Sequence, residues 1–546
     1  MRRPAIVLLA TALAVVVVSG QGPQPQAPPA QSSRTDPGVI RGRITSAENG
    51  RPLRRATVAL RPDMAQAGRP LLSVTTNSQG QFEMRDVAPG SYFVSAARSG
   101  YLELQHGQRR PRERGVAIEV RSGEARERVD IALPRGSVIT GRVVDELGAP
   151  YPEVTVTLLE LRYQLGARTY FPIAGDRTDD LGRFRISGLQ PGRYYILANS
   201  NETWRNEKKE TFGYAATFFP AAQALEHAVA VTVGIAEERA LSDLSLVASR
   251  TARIRGRVQR STGEPIAGEP VSLGRSVGGV AVLAAGGTAT RTAPDGTFEL
   301  RDLSPATYYV RTSGGAASML VPVSGVDIDN LLLVTRTGST ITATFVTESG
   351  ERPPFPASGV RVNLIAPLDA QVLPTVRVPG VDNDWSIKMT SVGGPFVFRM
   401  VNLPEAWMLD AVRVGDNDVT DGPFDVPADG REISDMQFVL TQRVGTINGS
   451  VVTSDGKPTG NATVVVFAED ASQWTIASRF VRSTRPTADG TFKVAGLPGA
   501  TYLAVAREFV MDGEWETKEF LEAARQDAVR VTLARGGTES VALRIR

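Results

Sequence analysis

Ile254-Arg255-Gly256-Arg257-Val258, then Gly263-Glu264-Pro265, then Asp295-Gly296-Thr297-Phe298 and Tyr308, is the stretch on which the reading of the fold rests. The first five residues alternate apolar and polar around a glycine, the period of a half-buried strand. Gly-x-Pro and Asp-Gly are turn pairs, glycine supplying positive φ and proline a preset one. The phenylalanine opens a second alternating run that reaches the tyrosine ten residues later. The same order recurs along the chain. Strand centres stand at Gly42, Gly141, Gly256, Ala343 and Gly449, and glycines follow at Gly50, Gly148, Gly263, Gly350 and Gly456. Prolines stand at Pro52, Pro150, Pro265, Pro353 and Pro458, each ahead of a further alternating strand at 57–60, 154–158, 271–273, 360–364 and 463–467. Gln79-Gly80-Gln81-Phe82, Leu181-Gly182-Arg183-Phe184 and Asp489-Gly490-Thr491-Phe492 repeat the second turn, with Tyr92, Tyr194 and Tyr502 ten residues on. The fourth copy is degenerate, with Asn383-Asp384-Trp385 at the turn and Phe396 and Phe398 where the tyrosine strand belongs.

The centres lie 99, 115, 87 and 106 residues apart. A period near 100 is that of a sandwich domain, whereas solenoid repeats run at about 20 to 50. Closing strands at 129–133, 244–246, 331–333, 436–440 and 541–545 complete the units. The expected fold is all-β: a tandem array of about five antiparallel, immunoglobulin-like sandwiches with minor helical insertions, the phenylalanines and tyrosines packed between sheets. The expected units are 38–134, 135–249, 250–337, 338–442 (the degenerate one) and 443–546, and five in line would make a rod. Helical patterning is confined to 221–229 and 516–526, the latter placing Phe520, Leu521 and Ala524 on one face to cover a sheet edge or junction.

Ahead of the units, Arg2 and Arg3 precede an apolar run at 5–18 and then Ser19-Gly20, which reads as a cleavable signal peptide at 1–20. That run is short of the roughly 20 residues that cross a bilayer, so the mature chain is expected to have no membrane span and to be secreted or periplasmic. Residues 21–37, with Pro23, Pro25, Pro28 and Pro29, form an extended linker. Hydrophobic residues at 42% and charged residues at 22% are ordinary globular composition. Basic and acidic residues, 61 and 58, are interspersed, which argues against nucleic acid as a partner. With no cysteine, disulfides, thiolate metal sites and cysteine nucleophiles are excluded.

Through its Gly-x-[Ile/Val] strand, Gly-x-Pro turn, Asp-Gly-x-Phe turn and Pro-Gly-x-Tyr strand, the chain resembles bacterial carboxypeptidase regulatory-like domain proteins, over about residues 38–546. The resemblance implies transthyretin-like, prealbumin-type sandwiches with an accessory or adhesive role, often grouped with the carbohydrate-binding-like folds. It implies no catalytic residue.

The residues themselves agree with a non-enzymatic reading. His106 and His227, the two histidines, fall in different units, with no zinc-ligand spacing and no Gly-x-Ser-x-Gly elbow. No cofactor and no metal site is expected. Asp416, Asp418 and Asp421 resemble a calcium loop, but Gly422 comes one place late for an EF-hand and no glutamate closes it, so a structural turn is the plainer reading. Units one and three contain no lysine, so a Lys-Asn crosslink is not general to the array; Lys388, Lys457, Lys493 and Lys518 leave it open for units four and five. The basic stretch Arg109-Arg110-Pro111-Arg112-Glu113-Arg114 reads as a solvated loop that would also suit an acidic polysaccharide or a lipid head group. Trp204, Trp474 and Trp515 fall in insertions, where an exposed indole stacks on a sugar ring; Trp385 and Trp407 occupy strand or core positions. The function expected is binding or spacing, with a polysaccharide or a cell-envelope protein as partner. The alternatives are a carbohydrate-binding protein using those loop aromatics, and an enzyme with dispersed carboxylates.

Overall fold

The computed structural model describes residues 36–62, 72–108, 115–277, 280–282, 289–312, 317–367 and 376–545. The expected signal peptide at 1–20, the expected linker up to residue 35 and the basic stretch from Arg109 to Arg114 lie outside the described residues. The described residues form a tandem array of β-sandwiches with one α-helix, Lys518–Arg525.

Each unit is organised on its glycine-centred strand. In unit three Ala252–Arg260 lies between Thr297–Leu303, antiparallel to it, and Ile328–Thr335, parallel to it. In unit five Gly445–Val452 lies likewise between Thr491–Leu497 and Thr538–Arg544. All five units share this plan, so each first sheet is mixed, not purely antiparallel: the opening strand and the closing strand run side by side in one direction. The chain therefore enters a unit at one end and leaves at the other. The second sheet is antiparallel throughout, as in Thr463–Ala468 between Val481–Thr484 and Ala500–Arg507.

Five separate clusters of buried side chains sit between the sheets, one around each central strand. In four units the central glycine faces the phenylalanine across the ladder, in the pairs Gly42 with Phe82, Gly141 with Phe184, Gly256 with Phe298 and Gly449 with Phe492. A Cβ on Gly256 would stand 2.6 Å from the Phe298 ring and 2.4 Å from the Leu331 carbonyl oxygen. The glycine is thus a slot for the ring. In unit four Ala343 faces Ile387 instead, and Trp385, at φ 64°, stands where the other units have the turn glycine. Its buried indole fills the space against Phe345 and Phe355, with ring centres 5.8 and 5.0 Å away.

The tyrosines do more than fill volume. Tyr92, Tyr308 and Tyr502 donate through the hydroxyl to the carbonyl four residues earlier, Ala88 at 2.8 Å, Ser304 at 2.7 Å and Pro498 at 2.7 Å, and Tyr194 does the same to Gln190. A buried phenol is satisfied by its own chain, which ties the loop to the strand. Units one to three add a buried threonine that staples the second sheet. Thr76 accepts from the Ala56 N–H at 2.9 Å and donates to the Leu53 carbonyl at 2.6 Å, and Thr178 and Thr292 repeat the pattern.

The helical expectations need correction. In the segment 221–229 only a single 3-10 turn forms, Leu225–His227, because its backbone is drawn into bonds with the neighbouring chain: Phe218 and Ala222 exchange hydrogen bonds, and the Val229 N–H donates to Phe219. A segment this short does not repay helix nucleation when such partners compete. The late segment divides into a 3-10 turn, Glu514–Glu516, and the helix Lys518–Arg525, capped by the Thr517 side chain. Leu521 and Ala524 are buried and Phe520 partly so, but against the outer face of the second sheet, with Val465, Phe467 and Leu503, and not against an edge.

A straight rod is not what forms. The hairpin of unit two, Thr155–Gln164 with Ala167–Arg177, extends far enough that its tip meets unit five, where the ideal Cβ of Gly513 would lie 2.7 Å from the Tyr163 carbonyl oxygen. The later units fold back toward the second.

Candidate functional site

The three insertion tryptophans occupy two places. Trp204, on Thr203–Arg205, is partly buried in unit two, its ring centre 6.2 Å from Phe212 and 4.9 Å from Tyr214. Trp474 and Trp515 come together beneath the helix of unit five. Trp474 is 6% exposed; its indole N–H donates to the Ala468 carbonyl at 2.8 Å, Phe467 meets it edge-on, and the Arg525 guanidinium lies 4.9 Å from the ring centre. Its faces are taken by protein. Trp515 is half-buried on the same cluster. Trp385 is a core residue and Trp407 a partly buried neighbour of Phe355.

Beside Trp474 a groove of about 430 Å³ opens between units two and five. Leu165 and Gly166 form one wall; Trp474, Thr475, Val481, Glu516 and Lys518 are among the residues of the other. Burial raises the Glu516 carboxyl above its usual range and Asp512 adds to the rise, while Arg482 and the Gly166 N–H oppose it. Burial also lowers the Arg482 guanidinium, which donates to the Ser478 carbonyl at 2.7 Å.

Behind this groove, units four and five are joined by a charged hub. Arg479 grips Asp421 bidentately, at 2.8 and 2.7 Å, and donates also to the Leu409 and Asp410 carbonyls. Arg399 stands 3.6 Å from the same carboxylate and donates to the Ala477 carbonyl across the junction; burial pushes its guanidinium down to about 10, against the pull of Asp421. Planar guanidiniums suit this work because each offers several fixed donors to carbonyls and carboxylates at once. Toward the rim, Arg535 pairs with Glu348 and Asp410, and Lys493 with Glu405 at 2.6 Å.

The suspected calcium loop is thereby accounted for. Asp421 belongs to Arg479, Asp418 caps its own turn by accepting from the Thr420 N–H at 2.9 Å, and Asp416 is exposed. Among the described residues no group of three His, Cys, Asp or Glu side chains stands together as metal ligands. His106 lies beside the Asp130 carbonyl at 3.2 Å, and His227 ends its 3-10 turn, exposed. Lys388, Lys457, Lys493 and Lys518 are all exposed, and two of them pair with carboxylates. Among the described residues no helix is long and apolar enough to cross a membrane.

Sequence reasoning missed Arg399, Arg479, Arg482 and the tip at Leu165-Gly166. Gly166 stands between two alternating runs, but Leu-Gly is not among the pairs that mark a two-residue hairpin. Nothing local marks where that hairpin reaches.

Residues 39–134 and 138–213 match the family model of the carboxypeptidase regulatory-like domain. No curated protein matches the chain. Among solved structures it is similar to a streptococcal ancillary pilin, at 13% identity over 55% of this chain and 99% of that one, with a TM-score of 0.21. It is similar also to GBS52, the minor pilin of Streptococcus agalactiae, at 13% identity over 38% and 96%, with a TM-score of 0.21. The Bacillus anthracis TIE protein is 10% identical over 95% of this chain and 75% of that one, with a TM-score of 0.14. Scores this low carry no argument about arrangement or role. The match to the carboxypeptidase regulatory-like domain thus covers the first unit and most of the second.

Proposed function

We propose that this is a non-catalytic, exported modular protein that acts by binding or by spacing, with a polysaccharide or a cell-envelope protein as partner. The observation that supports it is the parallel pairing of first and last strands in every unit, which passes the chain from end to end of each sandwich. The polar chemistry fits that role, since the tyrosine hydroxyls, the turn aspartates and the junction arginines are engaged in holding the units and their contacts together. The reading is tested by protease treatment of intact cells and N-terminal sequencing of the recovered protein. An envelope-exposed chain beginning near residue 21 supports export, and a cytosolic chain retaining its first residues rejects it.

The carbohydrate reading rests on Trp204 and Trp515, the two insertion tryptophans that keep part of their surface. A glycan array of residues 21–546, beside variants with Trp204, Trp474 and Trp515 changed to Ala, tests it. Saturable binding lost in a folded Trp204→Ala or Trp515→Ala variant supports sugar contact. Equal binding by all variants moves the site elsewhere.

A further inference from the structure

We propose that the hairpin tip of unit two is a latch, set against unit five as one wall of the groove between them, that holds the array folded back and releases without unfolding either unit.

The tip itself is the first argument. Gln164 pairs with Ala167, so Leu165 and Gly166 form a two-residue turn, with φ of 51° and 76°. Positive φ at both positions is the type I′ geometry, which favours Asn or Asp ahead of Gly. A leucine there is a local misfit, and a misfit at a tip points to a use for the side chain. Leu165 is only partly exposed and lines the groove with Trp474, Val481 and Glu516.

The fit of the two backbones is the second. Gly513 has φ of 77° and lies so close to Tyr163 that an ideal Cβ would come within 2.7 Å of its carbonyl oxygen. Gly166 approaches the Glu516 carbonyl in the same way, at 3.0 Å, and its N–H serves the Glu516 carboxyl. Each unit thus sets a glycine against the other's backbone, where an added side chain would crowd the contact.

Release needs no core to open. Units two and five keep their own clusters of buried side chains, and Leu165 and Gly166 belong to neither. Because both partners sit on one chain, a contact too small to hold two free domains together still closes at the high effective concentration set by the tether.

The absence of cysteine makes the test clean. Spin labels are placed on Ala167→Cys and Ala523→Cys, both exposed, in the chain from residue 21 to 546, and the distance between them is measured by pulsed electron resonance. One short, narrow population is expected. Leu165→Asn suits the turn better and replaces the apolar side chain on the groove wall with a polar one, so it should abolish the short population while leaving thermal melting unchanged or raised. Gly513→Ala should deplete the same population. A broad, long distribution in the unmodified background overturns the proposal, as does a short population that survives Leu165→Asn. A short population that vanishes on dilution with unlabelled chain overturns it too, because the tip would then be entering a second copy.

Discussion

Units two and four solve one packing problem in opposite ways. In unit two the central strand gives up its side chain at Gly141 and Phe184 lies over the gap; in unit four Ala343 keeps a methyl and Ile387 supplies a smaller partner. The volume lost with the phenylalanine is regained by Trp385, moved into the place of the turn glycine and buried against Phe345 and Phe355. The backbone pairing is the same in both. What the fold requires at this layer is filled volume at interior density, and the familiar turn sequence is one way of meeting it.

Unit four differs also in what it offers its neighbour, and breaking that difference should give the largest effect. Asp421→Ala leaves Arg399 and Arg479 without their shared carboxylate in a buried junction. A loss of about 3 kcal/mol is expected in guanidinium unfolding of the full chain, at the low end for a severed buried pair because Asp421 keeps some solvent access. Units one to three should be unaffected, as amide exchange by segment would show.

Next comes the swap itself. Gly141→Ala puts a Cβ 2.6 Å from the Phe184 ring, and overpacking of about 1 to 3 kcal/mol is expected. Adding Phe184→Ile recreates the unit-four pair, and the double variant should lose at least about 1 kcal/mol less than the sum of the single losses. Additive losses would show that the two pairs are not equivalent solutions. The same exchange at Gly449 should be rescued less, because the Val541 carbonyl oxygen, 2.3 Å from the ideal Cβ, remains after Phe492 is replaced.

A smaller effect separates the tyrosine units from unit four, where Phe396 has no hydroxyl. Tyr308→Phe removes the bond to the Ser304 carbonyl and should cost about 1 kcal/mol in thermal melting. Phe396→Tyr should bring no matching gain.

The smallest effect concerns pH. Glu516 faces Asp512, Lys518 and Glu519 on its own segment, Arg482 from the neighbouring strand and the Gly166 N–H from unit two. Its carboxyl is raised on folding, so its contribution is fully present below the ordinary carboxylate value and falls as pH rises through the raised one. Melting followed between pH 4 and 7 should show this slope in the native chain and a flatter one in Glu516→Gln.

Much of each unit is legible residue by residue. Glycines at turns, alternating strands and the Phe-to-Tyr spacing are local demands of φ and of a two-residue period, and four copies state them in the same order. Unit four is harder to read because it meets the same packing demand with residues that match no turn pattern. The tryptophans show the limit more sharply. An insertion predicts exposure, yet Trp474 is buried, because a helix that begins 44 residues later closes over it and Arg525 lies on its ring.

By itself, then, the amino-acid sequence determined the period, the turns, the succession of strands along the chain and the aromatic positions of the sandwiches, since each follows from backbone geometry within a few residues. The tertiary structure alone decided that opening and closing strands run parallel, that Asp421 answers Arg479 from 58 residues away, and that Gly166 meets Glu516 from 350. Those outcomes depend on which surfaces the packed units bring together, and no local propensity encodes a contact whose partner is set by the path of the whole chain.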